Sequence, residues 1–234
     1  MPPPRPAGQS RRGNEISHPD RMCFSEDVSW LTLAISWAGC GLLAATGTPY
    51  LQAIAGFLAV VGGMQLWEAL LWRNSRWCTP LNGALSSAGA VNNHMEPVAL
   101  YAMCRWLLAP RSAFRADLAT AVIAAYMLVF GALTLEFVRR PLANRCTGAS
   151  SMGTGLAWKW NGYGKRTMWA YGLFVLAFLT TAYAYLPPGA DHAMAVTTLA
   201  SLAISLVMYR GQGMVGRMWC FFAALAPWLA LAMT

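Results

Sequence analysis

The chain alternates long apolar stretches with short polar breaks along most of its length. Each stretch has roughly 20 residues, the length that an α-helix needs to cross the hydrocarbon core of a bilayer. Turn residues separate several of the stretches, as in Gly47-Thr48-Pro49 and Pro187-Pro188-Gly189. The pattern predicts an all-α, seven-helix transmembrane bundle, with helices near 28–46, 50–73, 84–108, 114–138, 167–186, 191–209 and 216–233.

The composition agrees with this class of protein. Hydrophobic residues make up 57% of the 234 residues and charged residues 11%, whereas soluble domains typically contain about 25% charged residues. Residues 1–21 are rich in Pro, Arg and Gly, so we expect a disordered basic N-terminal tail. One seven-helix transmembrane domain then occupies residues 22–234.

Basic residues are divided unevenly between the two sides of the predicted bundle. All of the 17 lysines and arginines except Arg105, Arg111 and Arg115 fall on the side of the N-terminus. Because basic loops concentrate in the cytoplasm, the N-terminus is predicted to be cytoplasmic and the C-terminus outside. This topology accounts for the net charge of +8 without a nucleic-acid partner. Trp158 and Trp160, in the long basic connection, are expected at a membrane interface.

The second predicted helix carries a carboxylate within its apolar run. Glu68 lies in the sequence Met64-Gln65-Leu66-Trp67-Glu68, and burying it in hydrocarbon costs a few kcal/mol even on mild insertion scales. Such residues usually have a partner and often a function. Helical spacing places Gln65, Glu68 and Trp72 on one face of the helix.

The third predicted helix contains a polar segment, Asn92-Asn93-His94-Met95-Glu96-Pro97. Pro97 has no N–H, so the carbonyl of Asn93 loses its usual partner and we expect a kink. One interpretation is a binding cavity of the kind found in transporters. The other is a structural network in which these groups satisfy one another. The candidate ligand-binding residues are Gln65, Glu68, Trp72, Asn93, His94 and Glu96.

The six cysteines include no CxxC pair, so the indication of a metal site is weak. Cys23, Cys78, Cys146 and Cys220 lie on the side predicted to be cytoplasmic, where disulfides are disfavoured. We therefore expect unreactive thiols, with a Cys78–Cys146 bridge as the alternative if these loops face an oxidising lumen. No metal site is predicted, the weak candidates being Cys23, His94 and Cys220, and no cofactor is assigned.

Short motifs spread over residues 22–222 resemble an uncharacterised family of small polytopic membrane proteins from bacteria, protists and large DNA viruses. Members typically begin with Met-Cys-Phe-Ser, as residues 22–25 do here. Relatives often have Gln where this chain has Glu96. The resemblance implies a multi-pass membrane protein and no particular activity. The matching positions are Met64-Gln65, Glu68, Trp72, Cys78, Asn82, Gly89, Glu96-Pro97 and Met218-Trp219-Cys220-Phe221.

Three functions stay open at this point. The first is a transporter, channel or binder of a small molecule or ion, which the common depth of the polar groups favours. The second is a membrane-embedded enzyme with Glu68 or His94 as general base and Cys23 or Cys220 as nucleophile. The third is a structural or assembly subunit, in a homo-oligomer or another membrane complex. In each case the protein is an integral membrane protein and the lipid bilayer is its predicted partner.

Overall fold

The computed structural model describes residues 25–149, 156–160, 167–209 and 224–232. These residues form a helical bundle, which confirms the predicted all-α class. The helices are α1 (Glu26–Ala45), α2 (Pro49–Gly62), α3 (Met64–Arg73), α4 (Pro80–Leu107), α5 (Ala113–Val138), α6 (Thr167–Tyr185), α7 (Ala190–Tyr209) and α8 (Ala226–Ala232). Between α5 and α6, β1 (Gly148–Ala149) pairs antiparallel with β2 (Leu156–Ala157).

The helix ends follow from local chemistry. The hydroxyl groups of Ser25, Thr79 and Ser112 each accept a backbone N–H from the first turn of α1, α4 and α5, which satisfies one of the free donors there. Gly47 and Gly189 have φ angles of 73° and 94° in the turns before α2 and α7. Only glycine adopts that conformation without steric cost, so both predicted turns have a physical basis.

Three stretches are long and apolar enough to cross a membrane by length and composition: Glu26–Ala45, Pro49–Arg73 and Ala113–Val138. The second of these, predicted as one helix over 50–73, consists of α2 and α3, which join at Gly63 with helical backbone angles of φ −57° and ψ −22°. Asn92 of α4 contacts the chain at this junction. Its Nδ2 donates to the carbonyl of Val60 at 3.0 Å, and its Oδ1 would lie 3.2 Å from a Cβ on Gly63. Helix α4 therefore packs closely against the chain where α2 ends.

The main apolar core lies around α2, between α1, α4 and α6. Its fully buried members include Leu43, Phe57, Leu100 and Phe178, and the rings of Phe57 and Phe178 meet edge to face with centroids 5.2 Å apart. The free cysteines Cys40 and Cys104 belong to the same core.

Helix α8 packs against α1, where Trp228 Nε1 donates to the carbonyl of Ile35 at 3.0 Å. Helix α8 corresponds to the last part of the seventh predicted helix, 216–233, and most of the other residues in that range lie outside the described residues. Residues 1–24, with the predicted disordered tail and Cys23, lie outside them too, as does Cys220.

Candidate functional site

A row of small hydroxyl side chains on α1 faces α2 and α3. Ser29, Thr32 and Ser36 are spaced so that they share one helix face, and all three are buried. Thr32 Oγ1 donates to Gln65 Oε1 of α3 at 2.8 Å. Glu68 follows one turn later on α3 and is only 4% exposed. The α1–α3 contact is therefore polar in a part of the bundle that water does not reach.

Two atoms in this contact have unused hydrogen-bonding capacity. Ser29 Oγ and Gln65 Nε2 are buried and have no hydrogen-bond partner among the described residues. Leaving such a group unpaired costs about 1–3 kcal/mol, and nearly all buried polar atoms in proteins are paired. A bound water would satisfy both atoms, because Nε2 donates hydrogen bonds and Oγ can donate or accept them.

The polar segment of α4 contributes a second buried carboxylate. Glu96 is fully buried, and its Oε1 accepts a hydrogen bond from Asn93 Nδ2 at 3.2 Å. Helix α4 continues through Pro97 to Leu107. Asn92 is used in packing, through its bond to α2. Glu68 and Glu96 lie on adjacent packed helices, α3 and α4.

His94 lies on a different side of α4, facing α5. Its Nδ1 and Thr134 Oγ1 are 2.5 Å apart, and its ring packs edge to face against Phe130 and Trp160, with centroids 4.8 and 5.6 Å away. Tyr126 Oη donates to the His94 carbonyl at 2.8 Å. These contacts tie α4 to α5 and to the segment after β2.

Trp158 and Trp160 are buried, 8% and 4% exposed, so their predicted place at a membrane interface is wrong. In extended backbone alternate side chains share a face, and here Leu156, Trp158 and Trp160 point inward while Lys159 is exposed. The ring of Trp158 packs against Gly89 of α4, where a Cβ would lie 2.9 Å from Cζ3. The sequence did not reveal this insertion, because interfacial and inserted tryptophans look alike in a basic loop.

Thr147 anchors the start of the same connection to α4. Its N–H donates to Asn82 Oδ1 at 2.9 Å, its carbonyl accepts from Asn82 Nδ2 at 2.8 Å, and Ser86 Oγ donates to its Oγ1 at 2.8 Å. The preceding residue, Cys146, forms a disulfide with Cys78. The expectation of free thiols at these two positions is therefore wrong, and the alternative bridge is present.

The predicted site residues divide into two groups. Gln65 bonds to α1 and His94 bonds to α5, so these two side chains point away from each other across the α3–α4 pair. Trp72 packs with the buried tryptophans of the connection between α5 and α6. Sequence reasoning missed the α1 hydroxyls, although the spacing of Ser29, Thr32 and Ser36 was a signal that could have revealed them.

Among the described residues no group of three or more His, Cys, Asp or Glu side chains is arranged to hold a metal ion. No protein-family profile, curated protein or solved structure matches the chain. The resemblance to the Met-Cys-Phe-Ser family therefore stays a prediction.

Proposed function

We propose that this chain is a multi-pass integral membrane protein whose bundle contains a polar site for a small cation, including the proton. Its location in a bilayer is supported by the three long apolar stretches and by large apolar side chains on the outer surface. Leu128 on α5 is 77% exposed and Val196 on α7 is 66% exposed. In a bilayer, lipid tails would cover both side chains. In water, both would belong to an exposed apolar surface, which is rare in soluble monomeric proteins.

The observation that carries the proposed site is the burial of two carboxylates on adjacent helices, Glu68 on α3 and Glu96 on α4. Ionisable residues inside a membrane are expensive and mark ion or proton pathways. Thr32 of α1 and Gln65, which lies one turn before Glu68 on α3, add a hydroxyl oxygen and an amide oxygen at the same pair of helices. Carboxylate, hydroxyl and amide oxygens are the ligands that hard cations prefer.

A cation explains the composition of this contact better than a neutral solute does. Carboxylate oxygens attract a cation more strongly than a neutral molecule, because the attraction between opposite charges adds to the hydrogen bond or coordination. Proton transfer between carboxylates and hydroxyls would use the same groups. The proposed candidate residues are Gln65, Glu68, Asn93 and Glu96, whereas Trp72 and His94 serve the packing of the connection between α5 and α6.

The enzyme alternative receives less support. The His94 Nδ1 faces the hydroxyl of Thr134, and a threonine paired with histidine inside a packed helix contact is poorly placed for substrate access. The predicted nucleophiles, Cys23 and Cys220, lie outside the described residues. The free thiols of Cys40 and Cys104 lie in the main apolar core, away from His94.

The test uses purified protein reconstituted into lipid vesicles that contain a pH-sensitive or Na⁺-sensitive fluorophore. A membrane potential drives H⁺, Na⁺ or K⁺ inward, and the rate of entry is compared with that of protein-free vesicles. We expect wild-type protein to raise the rate for at least one cation. Glu68→Gln and Glu96→Gln should lower that rate by roughly tenfold or more, because each removes a buried ionisable group from the pathway.

Glu136→Gln is the matched control. Glu136 is exposed and pairs with Arg140 at the end of α5, at 3.0 Å, so its loss should leave the rate unchanged. Thermal unfolding with added Na⁺, K⁺, Mg²⁺ or Ca²⁺ measures binding without transport. The proposal fails if wild-type protein neither passes nor is stabilised by any of these cations, or if Glu68→Gln behaves as wild type in both measurements.

A further inference from the structure

Part of the connection between α5 and α6 folds back along α4 and is called the plug here. It comprises residues 146–149 and 156–160. Its contacts extend from Asn82, which bonds Thr147, to His94, which packs against Trp160. Twelve helical residues correspond to about 18 Å along α4. The plug is therefore inserted deeply between the helices.

The inner face of the plug covers the helices that carry the two buried carboxylates. Leu156, Trp158 and Trp160 form one apolar cluster with Met64 and Leu71 of α3. Trp67 and Trp72 border the same cluster. On α4, Trp158 packs against Gly89, between Asn82 and the polar segment. The plug thus packs across α3 and α4 at the end of the pair where α3 ends and α4 begins.

One covalent bond attaches the plug to the bundle. Cys146 is the first residue of the plug and is buried, while Cys78 lies just before α4 and is exposed. Cys78 is therefore the half of the disulfide that lies nearer solvent, and thiol–disulfide exchange needs access to one of the two sulfur atoms.

The role of this disulfide depends on the compartment that this end of the bundle faces. The basic residues predict that the end of the bundle holding Cys78 and Cys146 faces the cytoplasm. Disulfides in the cytoplasm of most organisms are rare, and those that exist are usually transient and serve catalysis or redox sensing. A purely structural bond at this place would conflict with the charge distribution, whereas a reversible one agrees with it.

We propose that the Cys78–Cys146 disulfide is a redox latch that holds the plug against α3 and α4, and that a cytoplasmic dithiol protein releases it. The latch goes beyond the proposed cation site, whose Gln65 side chain faces α1, whereas the plug packs against Gly89 and His94 of α4. In the oxidised protein the plug is fixed at Cys146. In the reduced protein the hydrogen bonds of Thr147 and the packing of Leu156, Trp158 and Trp160 still hold it.

The chemistry is a two-electron exchange. A thiolate of the reductant attacks the Cys78 sulfur, the bond to Cys146 breaks, and the Cys146 thiolate takes up a proton. The second thiol of the reductant then attacks its own sulfur in the mixed disulfide and releases Cys78, which is also protonated. The protein gains two thiols, and the reductant leaves as its disulfide.

Hydrogen exchange of the purified protein, followed by mass spectrometry, tests the latch without any flux measurement. Exchange in peptides that contain Thr147 or Trp158 is compared before and after treatment with dithiothreitol. We expect reduction to raise it by roughly tenfold, while peptides of α2 stay unchanged. The Cys78→Ser/Cys146→Ser variant should show the fast exchange with or without reductant. Equal exchange in the oxidised and reduced proteins would overturn the latch.

A second pair of variants separates the latch from the hydrogen bonds. Ser86→Ala removes a bond to Thr147, whereas Ser87→Ala removes only a bond to the Gly83 carbonyl within α4. In reduced protein Ser86→Ala should raise exchange further and Ser87→Ala should not. If both serine variants behave alike, Thr147 does not hold the plug and the proposal is wrong.

The side of the membrane is tested by labelling reduced Cys78 with a membrane-impermeant maleimide in sealed vesicles of known orientation. Labelling from the cytoplasmic face supports the latch, and labelling only from the opposite face overturns it. A redox-dependent change in exchange together with a complete absence of cation flux would leave the latch standing and reject the proposed site. The two proposals therefore fail separately.

Discussion

The indole of Trp158 packs against Gly89 so closely that a Cβ on this glycine would lie 2.9 Å from Cζ3 of the ring. Real Cβ atoms essentially never approach that closely, and Trp158 is a rigid side chain held by Leu156 and Trp160 on either side. The absence of a side chain at Gly89 is what allows the plug to lie against α4.

Gly89→Ala is therefore expected to destabilise the protein by about 1–3 kcal/mol, the usual cost of overpacking. The midpoint of thermal unfolding in detergent measures this. Gly131→Ala on α5 is the control, because a Cβ there meets nothing within 4 Å. That change should be neutral or stabilise by up to about 1 kcal/mol, since alanine favours helix. If the two variants shift the midpoint equally, the packing of Trp158 on Gly89 is not a constraint.

Thr32→Val tests the hydroxyl contact between α1 and α3. It keeps the shape of the side chain but leaves Gln65 without its bond at the buried interface, so a loss of about 1–3 kcal/mol is expected. Thr180→Val is the matched control, because Thr180 Oγ1 bonds only to carbonyls of its own helix. Circular dichroism during thermal unfolding compares the two. A larger loss for the control would mean that the Thr32–Gln65 bond contributes little.

Arg111→Met tests the ion pair between the start of α7 and the α4–α5 turn. Arg111 Nη1 and Asp191 Oδ2 are 2.5 Å apart, and the Asp191 side chain is 8% exposed. Removing one partner leaves a carboxylate with little access to water, which is more costly than losing a surface pair. We expect about 2–4 kcal/mol. Arg140→Met breaks the exposed pair with Glu136 and should cost less than about 1 kcal/mol. Similar unfolding midpoints for both variants would contradict this.

The sequence was most informative where one helix is a simple apolar segment. Helices α1 and α5 begin and end within two residues of the predicted positions, because Ser25 and Ser112 cap them and the apolar runs are uninterrupted. The junction of α2 and α3 at Gly63 was not predicted, since Asn92 of another helix contacts the chain there. Gly63 and Asn92 are 29 positions apart, so the periodicity of a single helix does not reveal their contact.

The candidate site was predicted in part for the same reason. Helical periodicity correctly placed Gln65 and Glu68 together as buried residues of α3. It did not show that Gln65 bonds to α1 while His94 bonds to α5, because the partners of a helix face depend on how helices are arranged around it. The insertion of the plug was not predicted, although the Cys78–Cys146 bridge was an alternative, since its position depends on Asn82 and Gly89, which precede it by more than 50 residues.

The Cys78–Cys146 bond also has a consequence for how the protein is made. The 68-residue separation between the two cysteines contains the whole of α4 and α5. The bond can close only after both helices are in place and the chain has returned to the starting side, so closure follows assembly of this hairpin. The disulfide-bonded chain is expected to migrate differently from the reduced chain on a non-reducing gel. The time at which this change appears during synthesis would then mark completion of the α4–α5 hairpin.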